Sequence, residues 1–150
     1  MVRSSRAYDG MYAPMVEGYT VGRDYLAAHS VFVAVVDGPS ADSGRRLGFY
    51  ALLLDPPELD LMFVADSAQG LGVGRALVAH MKERARAAGL GWVRVVSHPP
   101  AEGFYLAMGA VRTGTLPVVP SRIMWERPEL VFPLGLSEAE AVAMAEAAMA

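Results

Sequence analysis

The chain has 150 residues, enough for one domain that buries about two thirds of its unfolded surface. Hydrophobic residues make up 53% of it, yet no apolar run comes near the roughly 20 residues that cross a bilayer, and no cysteine is present for a disulfide, a thiolate metal site or a cysteine nucleophile. With 16 acidic and 13 basic residues the net charge is −3, and no Lys/Arg stripe interleaves with aromatics, so nucleic-acid binding has no support.

Residues 1–6 carry positive charge with no apolar stretch behind them, so a secretory signal is not expected and the protein reads as soluble and cytoplasmic. Residues 8–16 read as a helix, broken or started by Pro14, and residues 24–29 as a second helical turn. An apolar strand is expected at 31–36, a Gly/Pro/Ser/Asp turn at 37–44, and a strand at 47–54. Asp55-Pro56-Pro57 turns the chain into an alternating strand that ends at Val64, its apolar positions being Leu59, Leu61 and Phe63. A polar turn, 65–69, then leads to Gly70-Leu71-Gly72-Val73-Gly74. From there Val73, Leu77, Met81, Ala85 and Ala88 recur at helical spacing, with Arg75, Lys82, Glu83 and Arg86 on the other face and Gly89 as the left-handed stop.

Beyond Gly89, residues 92–97 form a strand and 101–108 a short helix stopped by Gly109. Further strands are expected at 110–115 and 122–127. Ser137-x-x-Glu140 is a capping box that opens an alanine-rich helix over 137–150. This order predicts an α/β domain over 1–136, with the C-terminal helix as an extension. Its mixed, mostly antiparallel sheet starts as a hairpin and has a parallel join across the central strand–helix–strand unit.

A strand that feeds a glycine loop at a helix N-terminus is a device for holding anions. The first amides of the helix have no internal partner, the macrodipole is positive there, and absent side chains let a phosphate approach. The G-x-G-x-G spacing does not fit the dinucleotide fingerprint, which disfavours an oxidoreductase, and Arg75-Ala76 stands where a nucleotide-triphosphate loop needs Lys-Ser/Thr. Gln69-x-x-Gly72-x-Gly74 instead resembles the Q/R-x-x-G-x-G/A signature of the GCN5-related N-acetyltransferases (GNAT). Ala101-x-x-Phe104-Tyr105-x-x-x-Gly109-Ala110 resembles a second signature of the same family, at the expected distance. Val64-x-Asp66 and Pro120-Ser121-Arg122 are further partial matches, and the resemblance covers residues 8–130.

The resemblance implies acetyl-CoA as cofactor, with its pyrophosphate on the amides of Gln69, Gly70, Leu71, Gly72, Val73, Gly74 and Arg75. It implies that backbone donors from Met62, Phe63 and Val64 polarise the thioester. It also implies that Met1 enters inside the family's first helix, so that the usual first strand is missing, as either a misplaced start codon or a truncation would produce. His98-Pro99-Pro100 replaces the Asp-Pro-Asn of close members, so an asparagine contact to the cofactor is lost.

Acetyl transfer needs a neutral amine, donors for the thioester oxygen and a proton for the departing thiolate. The resemblance puts the Tyr105 hydroxyl near the cofactor sulfur as the acid. Glu58 and Asp60 share one face of the strand, and the base is expected from this pair, directly or through a water. His98 is an outside candidate. His29, His80 and His98 have no metal-ligand spacing, so no metal is expected, and Trp92 and Trp125 suit strand packing. The reading is an N-acetyltransferase of a small-molecule primary amine, with no nucleic-acid or membrane partner and a homodimer left open. A silent acyl-CoA-binding module and a docking role for the tail helix stay open beside it.

Overall fold

The computed structural model describes residues 30–36 and 44–150. The expected helices at 8–16 and 24–29, His29 and most of the 37–44 turn lie outside the described residues. The elements are β1 (Ser30–Val35), β2 (Arg46–Leu54), β3 (Pro57–Val64), α1 (Val73–Ala87), β4 (Trp92–Val96), α2 (Glu102–Ala107), β5 (Val111–Leu116), β6 (Arg127–Pro133) and α3 (Glu138–Met149). The six strands form one sheet in the order β1-β2-β3-β4-β6-β5. β1 and β2 are antiparallel, with Phe32 opposite Tyr50. The parallel join falls between β3 and β4, with Glu58 opposite Arg94. Expectation and structure agree on this mixed sheet.

Two compact units are distinguished. The first takes in Leu61–Met81 and the described residues up to Leu52. Its described core holds Phe49, Tyr50, Ala51, Leu52, Leu61, Phe63, Leu77, Val78 and Met81. Here Gly48 is required by close approach, since a Cβ on it would stand 2.5 Å from the carbonyl oxygen of Phe63. Tyr50 is fully buried, and its hydroxyl lies 2.7 Å from His80 Nδ1.

The second unit takes in Leu53–Asp60 and Lys82–Ala150. β4 pairs with β6, and β6 with β5, both antiparallel. The last turn of α1 closes as a Schellman motif: Leu90 N–H donates to Ala85 C=O at 3.0 Å and Gly89 N–H to Arg86 C=O at 2.9 Å, with Gly89 at φ 81°. Ser137 caps the helix as expected, its Oγ accepting from Glu140 N–H, but the Glu140 carboxylate accepts from the Ser137 hydroxyl in place of the backbone N–H that a full capping box uses. The alanine spacing of α3 lays Ala141 and Ala145 against Trp92 and Val131, with Leu136 beside them.

One strand departs from expectation. Of the expected strand 122–127 only Arg127 is strand: residues 122–126 form a turn and bend with a single bridge between Val119 and Ile123, and the strand runs Arg127–Pro133. Two prolines disguised it. Pro128 and Pro133 each lack a ladder donor, which argues against an interior strand. They sit near its two ends, opposite Thr115 and Trp92. Trp125 therefore lies in the bend before β6, not within a strand.

Candidate active site

The loop between β3 and α1 is built from the backbone outward. Residues Asp66–Ala68 make one 3-10 turn, and Ala68 is its buried anchor. The Gln69 side chain folds back, its Nε2 donating to Val64 C=O at 3.2 Å, so the first residue of the signature fastens the strand end to the loop. Gly70 and Gly72 then take φ of 80° and 77°, which side-chain-bearing residues adopt only at a cost. Among the described residues no heavy atom lies within 4 Å of where a Cβ would stand on either, so they leave the space beside this backbone open. Leu71 between them is exposed, and Val73 turns inward and is buried. Ala76 N–H donates the first bond of the helix, to Gly72 C=O at 3.0 Å. The amides of Val73, Gly74 and Arg75 precede that bond and have no earlier turn to reach. They leave an N-terminus suited to an anion, and the exposed Arg75 adds positive charge. On β3, Met62 and Val64 are half-buried and Phe63 is buried against Phe49, at 5.5 Å between ring centroids.

In the other unit, the alternation of β3 puts Glu58 and Asp60 on one face while Leu59 is buried on the opposite one. Asp60 is exposed and Glu58 half-buried. Glu58 Oε1 accepts from Arg94 Nη1 at 2.8 Å. Burial pushes the Glu58 carboxyl above the ordinary carboxylate value; Arg94 pulls it down, and Asp60 and Glu129 push it up further. A carboxyl raised in this way binds a proton more readily than an ordinary one.

Tyr105 is carried on α2, a helix of one and a half turns introduced by the 3-10 turn Pro99–Ala101. Its ring packs edge-on against Phe104 at 5.3 Å and Phe132 at 6.1 Å, and the residue is 7% exposed. His98 is buried at the entry to the 3-10 turn, where its carbonyl accepts from Ser97 Oγ at 2.7 Å and from Ala101 N–H at 3.1 Å. Among the described residues no three His, Asp or Glu side chains converge as metal ligands, and no helix is long and apolar enough to cross a membrane.

Three polar residues of this unit were not singled out as site residues from the sequence. Arg94 and Glu129 hold each other and Glu58 in one ion-pair cluster. Lys82, expected on a solvated helix face, is half-buried and bonds the carbonyl of Met108. Arg94 sits in the strand Trp92–Val96 among Trp and Val, and that charge in an apolar run was the available signal.

Comparison with known proteins places these features in a family context. The profile described as an acetyltransferase (GNAT) domain matches residues 27–109, more than half the chain. The chain is similar to the crystal structure of nourseothricin acetyltransferase at 24% identity and a TM-score of 0.60, covering 71% of this chain and 66% of that one. It is similar to a GCN5-related N-acetyltransferase from Rhodopseudomonas palustris at 20% identity and a TM-score of 0.64, covering 82% and 72%. It is also similar to a GNAT family acetyltransferase from Elizabethkingia anophelis with acetyl-CoA bound, at 18% identity and a TM-score of 0.59, covering 74% and 80%. At these identities the solved structures speak to the fold alone. No curated protein is recognisably similar in sequence.

Proposed function

The chain belongs to the GNAT acetyltransferases, whose cofactor is acetyl-CoA, and on that premise we propose that it acetylates the primary amine of a small molecule by direct attack. The observation that carries this reading is the Gln69–Arg75 loop: two left-handed glycines, open space beside them and a helix whose first bond starts only at Ala76. The acyl group arrives as a thioester, activated for attack and with a thiolate as its leaving group. The amides of Gly70 and of Gly72 to Arg75 hold the pyrophosphate, while those of Gln69 and Leu71 are given to the carbonyls of Asp66 and Ala68 and shape the turn. Backbone donors of Met62, Phe63 and Val64 receive the thioester oxygen.

Glu58 or Asp60 takes the proton from the amine, directly or through a water, as the N–C bond forms. Tyr105 gives its proton to the sulfur as the C–S bond breaks, and recovers one from solvent. The raised Glu58 carboxyl supports the base assignment, and the resemblance of the Phe104-Tyr105 segment supports the acid. The acceptor class is drawn from the acidic β3 face, where a carboxylate pair suits an amine that arrives as its ammonium. That amine gives one proton to solvent before it attacks and loses the second to the base as the N–C bond forms. Nourseothricin acetyltransferase is similar in fold and, by its name, acetylates nourseothricin.

A thermal-shift titration with acetyl-CoA, CoA and NADH side by side tests the premise and the loop together. A ligand at 100 times its Kd stabilises by about 2.7 kcal/mol, a shift of roughly 5–10 °C for a domain of this size. Shifts with both CoA species and none with NADH are expected, followed by amine-dependent CoA release across a panel of primary amines. No shift with either CoA species would overturn the loop's assignment.

A further inference from the structure

One side-chain ladder ties together β3, β4, β6 and β5. Arg94, only 9% exposed, stands at its centre. Its Nη1 donates to Glu58 Oε1 on β3 at 2.8 Å, and its Nε donates to Glu129 Oε2 on β6 at 2.7 Å. Its Nη2 also contacts that Glu129 oxygen. On β5, Thr113 Oγ1 lies 3.3 Å from Glu129 Oε1 and 3.2 Å from the Glu129 carbonyl oxygen, so one hydroxyl proton serves both.

The two carboxylates are not equivalent. Glu129 uses both oxygens inside the sheet, Oε2 on Arg94 and Oε1 on Thr113. Glu58 uses only Oε1, and its Oε2 has no hydrogen-bond donor among the described residues. A carboxylate with one oxygen fixed by a guanidinium has its plane set, and its other oxygen keeps its lone pairs for an incoming proton. Arginine suits this place because its planar fork serves two carboxylates at once, which one ammonium cannot do in the same geometry.

We infer that Arg94 is a positioning residue for the transfer: it holds Glu58 by Oε1 so that Oε2 takes the proton of the acceptor amine, while Glu129 anchors Arg94. This rests on the acetyl-transfer reading above and deepens it by choosing one carboxylate of the pair and one oxygen of that carboxylate. The proton leaves the amine nitrogen as the N–C bond forms, resides on Glu58 Oε2, and passes to solvent after the product departs. Asp60, exposed on the same face, acts as a neighbouring charge. Among the described residues, the charged groups that act on Glu58 are Arg94 from β4, Asp60 from its own strand and Glu129 from β6.

The test is a pH titration of the full chain carrying carbon-13 in its glutamate carboxyls, with the Glu58 resonance assigned by its loss in Glu58→Gln. Glu129→Gln removes a like charge and leaves Arg94 to Glu58, so the Glu58 midpoint moves down. Arg94→Met removes the guanidinium, so the midpoint moves up. If Arg94→Met does not fold, the double change R94Q/E129Q puts a neutral side chain at both positions, and the midpoint again moves up because the lost Arg94 outweighs the lost Glu129 in its effect on Glu58.

Amine-dependent CoA release is measured on the same variants, and the acid limb of kcat/KM moves with the Glu58 midpoint. A purely structural role for Arg94 would not carry the acid limb in opposite directions in the two single variants. An unmoved midpoint overturns the clamp, and an acid limb that ignores a moved midpoint overturns Glu58 as the base. No release with any amine, together with no acetyl-CoA thermal shift, would instead sink the acetyl-transfer reading itself.

Discussion

Lys82 Nζ donates to the carbonyl oxygen of Met108, the residue that caps α2, and the same ammonium lies 5.2 Å from the centroid of the Phe132 ring. That ring is the one Tyr105 packs against edge-on. One cation on the central helix therefore touches both the end of the Tyr105 helix and the floor beneath its ring. α2 has six residues, too few to hold its own shape in water. Its last carbonyls need partners, and a cation there also complements the helix dipole. Gly109 completes the arrangement at φ 102°, where a Cβ would come 3.3 Å from Lys82 Nζ.

Replacing Lys82 by Met keeps most of the side-chain volume and removes the ammonium. The lost bond and ring contact are together worth about 2 kcal/mol, so the urea midpoint falls with no change in m-value. kcat falls as well, because Tyr105 is less firmly held, while Arg at 82 restores part of both. An unchanged midpoint and kcat in Lys82→Met would show that α2 is held by its apolar contacts alone.

Tyr105→Phe removes one oxygen from a side chain that is 7% exposed and leaves its ring packing with Phe104 and Phe132 in place. A general acid contributes about 10²–10⁴-fold, so kcat should fall within that range while the thermal shift with acetyl-CoA is retained. Unchanged kcat would sink the acid assignment and favour a solvent-supplied proton. Full loss of the thermal shift would mean the hydroxyl serves binding.

Gly72 separates backbone strain from crowding. At φ 77° with open space around its missing Cβ, alanine there costs about 1–2 kcal/mol through conformation alone. Asparagine tolerates this region better, so Gly72→Asn should lower the melting temperature less than Gly72→Ala despite being larger. Both should weaken acetyl-CoA, since each places atoms where the loop was bare. Gly48 makes the contrast, because its Cβ would meet backbone and any substitution forces the strands to shift. Equal stability losses for Asn and Ala at 72 would mean that strain is not what selects glycine.

Local signals carried most of the fold. The periodicity of α1, the Gly89 stop, the Ser137 cap and the glycine loop each depend on residues within a turn or two, so they could be read from the sequence. β6 could not, because Pro128 and Pro133 break the local strand signal while pairing with β4 and β5 protects the rest of the strand. The site was legible in the same uneven way. Its motif residues stand in two short runs, whereas Arg94 meets Glu58 and Glu129 across 36 and 35 positions of chain. Lys82 was misjudged for a related reason. Helical spacing puts it with the exposed charges, and only Met108, 26 residues away, turns it inward.

The Glu58 carboxyl gives the sharpest pH prediction because two forces on it have opposite signs. Burial lifts its folded value above the ordinary 4.5, and Arg94 opposes that lift without cancelling it. With the folded value above the unfolded one, the native state binds more protons between the two, and stability falls as pH rises through that window. Glu58→Gln has no such titration and can still accept from Arg94 Nη1. The stability of the wild type relative to Glu58→Gln should therefore be greatest below the ordinary carboxylate value, decline as pH rises through the folded value, and level off above it. Urea unfolding of both proteins at half-unit steps from about pH 4 to pH 8 measures this difference directly. A difference that grows with pH would reverse the ranking. The ion pair with Arg94 would then outweigh burial, Glu58 would stay ionised well into acid, and it would be a poor acceptor for a proton at neutral pH.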